Sequence, residues 1–120
     1  MKFETNDDSV KIVQATTVER DLLRQALTNR LVSAASGGTK LTHEMAVFLV
    51  KAHHFNGFQA LVFKKASNLL LVAECLMEEM PRYANETLPL ATTMVQQLKT
   101  EAIVFDNRLE MLQWTPESFT

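Results

Sequence analysis

Apolar and polar residues follow two rhythms along this chain, and the change of rhythm predicts its elements. Residues 1–15 read as β structure. Val10, Ile12 and Val13 are β-branched, Phe3 sits on a matching earlier run, and the turn cluster Asn6-Asp7-Asp8-Ser9 lies between the two. A hairpin is expected there. A lone hairpin is marginal in water, so it must pack on helices or pair with a further strand.

The rhythm then becomes helical. Thr16 with Glu19 three positions later fits a capping box, in which each side chain satisfies the other's free backbone N–H. The first helix is expected to run to about Ser36, with Val18, Leu22, Ala26, Leu27, Leu31 and Ala34 along one stripe. Gly37-Gly38 ends it, because glycine takes the left-handed cap conformation without a Cβ penalty. Thr42 is the candidate cap of a second helix over 43–55, stopped by Asn56-Gly57.

Residues 58–80 space Phe58, Leu61, Val62, Ala66, Leu69, Ala73, Leu76 and Met80 at a nearly helical period. A third helix is the first reading. The alternative makes 58–63 and 69–72 two buried strands, since short apolar runs do not separate helix from strand by periodicity alone. Pro81 breaks the pattern. A last helix is predicted over 90–114, with Ala91, Met94, Leu98, Ala102, Phe105, Leu109 and Leu112 as a seam of coiled-coil period. So short a seam suits a bundle helix better than a freestanding coiled coil. Residues 115–120 read as a tail. Trp114 is expected to pack back on the bundle, and Phe119 to pack there too or to dock on another protein.

The expected fold is mainly α, an N-terminal β hairpin followed by a bundle of about four helices in a single domain over residues 1–120. The alternative is α+β, with residues 58–72 as strands joined to the hairpin.

Composition narrows the class. In 120 residues, 47% hydrophobic and 22% charged, a core of ordinary size can form without a disulfide or a metal. The single cysteine, Cys75, rules out a disulfide framework. The amino terminus is too polar for a signal peptide, and the longest strongly apolar run, 69–73, falls far short of the ~20 residues that span a bilayer. These observations favour the cytoplasm.

Charge is uneven under a net −2. Residues 40–65 carry four lysines and one glutamate, whereas 66–120 carry three basic and eight acidic residues. A basic middle and an acidic end can attract each other within one fold or between subunits.

Candidate chemistry is sparse. On one helix, His43 and His54 share a face but lie about 16 Å apart, too far for one metal at ~2 Å from each. No metal and no cofactor is expected. His53 or His54 beside Glu44 could serve as a general base, but nothing marks a nucleophile, a phosphate loop or a paired acid, so the chain is not expected to be an enzyme. Cys75 reads as a buried structural thiol, with Glu74, Glu78 and Glu79 disfavouring its thiolate. Arg20, Arg24 and Arg30 are interrupted by Glu19 and Asp21, which argues against a concentrated nucleic-acid face.

Phe48, Phe55, Phe58 and Phe63 cluster around Asn56-Gly57. The helices carry more apolar seam than one small core needs, and a partner or a second copy is the simplest cover. The leading expectation is a small interaction or regulatory protein that binds another protein and self-associates. Its anchors would be Phe55 and Phe58, and its charged rim Lys51, His53, His54, Lys64 and Lys65, which favours a partner with an acidic surface. The alternatives are a nucleic-acid-binding accessory protein and a small histidine-dependent enzyme.

Overall fold

A computed structural model describes the backbone of residues 1–112 and the side chains of residues 1–107. Two strands come first, β1 (Lys2–Thr5) and β2 (Val10–Gln14). They form the expected antiparallel hairpin. Lys2 faces Gln14 but Phe3 faces Ile12, so Val13 is an extra residue on β2. The turn is held by Asn6, whose Oδ1 accepts from the Ser9 backbone N–H at 3.1 Å and from the Ser9 hydroxyl at 2.7 Å.

Helix α1 (Thr17–Ala35) begins on the capping box. Thr16 Oγ1 accepts from the Glu19 N–H at 3.2 Å, and Glu19 Oε1 accepts from the Thr16 N–H at 2.8 Å. It ends on a left-handed Gly37 with φ +82°. The Gly38 N–H reaches the Ser33 carbonyl and the Gly37 N–H the Ala34 carbonyl, the paired bonds of a Schellman cap. Helix α2 (His43–Ala52) starts on Thr42, whose Oγ1 accepts from the Met45 N–H. It stops three residues short of the expected end. The N–H groups of His54 and Phe55 close back on Lys51 and Ala52, a tighter turn that brings Phe55 into the core.

Residues 58–80 are not one helix. They divide into strand β3 (Leu61–Phe63) and helix α3 (Ala66–Glu79). β3 pairs antiparallel with β2, Leu61 opposite Ile12 and Phe63 opposite Val10, giving a sheet of order β1-β2-β3. The physical reason lies in β2, whose second edge a hairpin alone leaves bare; β3 covers it. Leu61 and Phe63 are buried and Val62 between them is exposed, the period of two that a strand requires. Residues 69–72, the other candidate strand, lie within α3. A short 3₁₀ turn over Met80–Arg82 leads to helix α4 (Leu88–Leu112).

Among the described residues the fold is thus four α-helices plus a three-stranded antiparallel sheet. One face of the sheet, with Val10, Ile12, Leu61 and Phe63, joins a single buried cluster with Leu23, Leu27, Leu69, Leu76, Met94 and Leu98 from the helices. The α4 seam is buried at Ala91, Met94, Leu98, Ala102 and Phe105 and packs chiefly on α3. Seam positions Leu109 and Leu112, and the expectations for Trp114, Phe119 and the tail, lie outside the described side chains. An ion pair ties α1 to α3. Arg30, buried, donates to both carboxylate oxygens of Glu78 at 2.6 and 3.2 Å. Among the described residues, no helix is long and apolar enough to cross a membrane.

Candidate functional site

The segment from Ala52 to β3 places its phenylalanines on opposite sides of the surface. Phe55 is 9% exposed and belongs to the core; Phe58, three residues later, is 90% exposed. This corrects the expectation of two exposed anchors. Phe55 holds the turn down, and of the two it is Phe58 that faces solvent.

The turn that carries Phe58 is braced from several sides. Gly57 adopts φ +85°, a left-handed backbone that side chains rarely take. The Asn56 side chain accepts from the Phe58 N–H at 3.0 Å, an Asx turn. Arg20 on α1 donates from Nη1 to the Asn56 carbonyl at 2.7 Å and from Nη2 to the Thr17 hydroxyl at 3.0 Å. Its side chain lies against Gly57 where a Cβ would stand. The aromatic ring is therefore presented on a fixed platform.

Beside this turn runs an open groove of about 590 Å³ between α2 and β3. Val47 and Phe48 from α2 and Val62 from β3 supply its apolar walls, and His43, Lys51, Lys64, Lys65, Glu44 and Asn68 complete it. Phe48 anchors one wall by packing on buried Phe63, ring centroids 5.5 Å apart. Lys51 also lines a smaller pocket with His54, Asn56 and Gln59, so this lysine is common to the groove and to the pocket beside the turn. Lys65 Nζ donates to Glu44 Oε2 at 2.7 Å, and this ammonium holds the Glu44 carboxyl below the usual carboxylate range.

Of the seven positions expected to bind a partner, Lys51, Lys64 and Lys65 meet in the groove, and Phe58 stands on the neighbouring turn. His54 is exposed and lines the smaller pocket; His53 is half-buried with its Nδ1 enclosed and without a hydrogen-bond partner. The two imidazoles lie 4.0 Å apart, centroid to centroid. Because α2 ends at Ala52, His43 and His54 do not share a helix face. Among the described residues, no three His, Cys, Asp or Glu side chains form a group able to hold a metal. Val47, Phe48 and Val62 went unrecognised as groove walls. Val47 and Phe48 belong to the apolar run of α2, which sequence alone assigns to core, and Val62 lies on a strand too short for its spacing to reveal.

Cys75 is buried on α3, and its thiol is pushed up to about 11. Burial is the main cause; Arg30 opposes it and Glu78 and Glu74 add to it. The glutamates expected to suppress the thiolate are thus secondary to desolvation.

No protein-family model, curated protein or solved structure matches the chain.

Proposed function

We propose that this chain works by binding another protein, through the surface formed by Phe58 and the α2–β3 groove, and that it acts as a cytoplasmic interaction or regulatory protein rather than an enzyme. The observation that carries this reading is a Phe side chain 90% exposed on a turn pinned by Arg20, Asn56 and Gly57. A Phe left in water forgoes ~1.5–3 kcal/mol of burial. Isolated surface hydrophobics are common, but this one stands on the turn whose Asn56 lines a small pocket, and that pocket shares Lys51 with the apolar-walled groove. A Phe on a braced backbone has only two side-chain torsions to fix on docking, a small entropy cost that suits an interface anchor.

Affinity capture with two baits tests it. The wild-type chain is expected to retain a partner that the Phe58→Asp chain loses while keeping its circular dichroism spectrum. Equal capture by both baits would remove Phe58 from the interface. Unfolding of the variant would show that the ring supports the fold instead.

Self-association is part of the same proposal. Val18, Val32, Ile103 and Val104 are exposed on α1 and α4 as well. Light scattering is expected to give a mass above that of one chain. A monodisperse monomer would limit the proposal to binding a different protein.

A further inference from the structure

The groove has a chemistry that selects its occupant. Its walls, Val47, Phe48 and Val62, are apolar, and its rim is cationic. The carboxylate on that rim, Glu44, is already neutralised by Lys65 at 2.7 Å. Among the described residues, Lys51 and Lys64 enter no ion pair. Two uncompensated ammonium groups therefore flank an apolar cleft.

We propose that this groove receives a short acidic segment of another protein. One large apolar side chain sits against Val47, Phe48 and Val62, and the carboxylates face Lys51 and Lys64. The proposal rests on the protein-binding reading above and adds the partner's chemistry to it. Charge complementarity sets the sign of the occupant. Size sets its scale: about 590 Å³ holds a few side chains, not a folded domain. The sheet adds a main-chain contribution. β3 is an edge strand paired on one side by β2, and an extended partner segment can hydrogen-bond along its other side. A nucleic acid fits less well, because the walls Val47, Phe48 and Val62 offer nothing to phosphate and one of the three lysines is already paired with Glu44.

The test uses the full chain with ¹⁵N labelling and three probes. These are a fluorescein-labelled Asp/Glu-rich peptide with one central Phe, its Asn/Gln counterpart of equal length, and a labelled single-stranded oligonucleotide. The acidic peptide is expected to shift the amide signals of Val47, Val62 and Lys64. Charge reversal in K51E/K64E is expected to weaken it by about tenfold, and added salt to weaken it further. Both lysines are exposed, and K51Q/K64Q provides a milder variant should the reversal disturb folding. Equal binding of the neutral peptide, tighter binding of the oligonucleotide, shifts outside the groove, or no shift with any peptide would each overturn the proposal. So would self-association lost in K51E/K64E with no peptide bound, which would assign the groove to a second copy of this chain. A cellular partner retained by K51E/K64E but lost by F58D would overturn the acidic-segment proposal and leave the protein-binding reading standing.

Discussion

Arg20 Nη1 donates to the backbone carbonyl of Asn56 at 2.7 Å, across 36 positions of sequence, and so fastens α1 to the turn that displays Phe58. The bond is on the surface, where water competes for both groups. Its worth is therefore more positional than thermodynamic. Replacing Arg20 with Ala is expected to lower stability by only about 0.5–1 kcal/mol. The amide hydrogens of residues 56–58 should exchange faster, and partner binding should weaken although Arg20 need not touch the partner. Unchanged exchange at those amides would show that Asn56 and Gly57 hold the turn without it.

Gly57 is the second brace. An L-residue at φ +85° is strained, and a Cβ there would displace Arg20. Gly57→Ala is expected to cost about 1–2 kcal/mol in urea unfolding. A smaller loss would mean that the turn relaxes into another conformation.

The three phenylalanines around this turn should respond very differently to truncation. Phe63 is fully buried and Phe55 nearly so. Phe63→Ala is expected to lose about 3–5 kcal/mol, with Phe55→Ala destabilising in the same sense. Phe58→Ala should stay within about 0.5 kcal/mol of wild type. Denaturant midpoints measured side by side decide this, and a large loss at Phe58 would contradict its exposure.

Glu19 links stability to pH. Burial would raise its pKa, but hydrogen bonds from the Met1 ammonium and from Thr16, with the ammonium's charge, outweigh it and lower the pKa from the ordinary 4.5. A carboxylate with a depressed folded pKa adds stability above the unfolded value and loses it as pH falls through the folded one. The wild-type protein should therefore weaken as pH drops below about 4.5, and Glu19→Gln should show a flatter acid limb. Identical limbs in the two proteins would place the acid sensitivity elsewhere.

Cys75 provides a probe of global opening. With its thiol pushed up to about 11 and the side chain buried, it should resist a disulfide reagent at pH 8 in the native state and react fully in denaturant. Fast native reaction would imply local opening around α3, beside Arg30 of α1.

Signals carried by neighbours a few residues apart were legible in the chain itself. The turn at Asn6 and Ser9, the Thr16–Glu19 box, the Gly37 stop, the Thr42 cap and the α4 seam through Phe105 all stand where local chemistry puts them. The division of 58–80 was not legible. α3 begins after Lys65, which makes no side-chain capping bond, so nothing marks its start. Three residues of β3 are too few to establish a period.

Within the candidate site, the residue types around Asn56-Gly57 were evident, but their sides were not. Phe55 and Phe58 are chemically identical, and only the tightened end of α2 and the clamp from Arg20 send one inward and the other out. Local sequence determined α1 with both its caps, the start of α2, the seam of α4 and the hairpin, because those depend on backbone bonds and spacing over a few residues. Tertiary structure alone decided that Leu61–Phe63 completes the sheet, that Val47, Phe48 and Val62 wall a groove, and which phenylalanine meets solvent. Each of these depends on what a distant segment leaves uncovered, and spacing along the chain does not encode that.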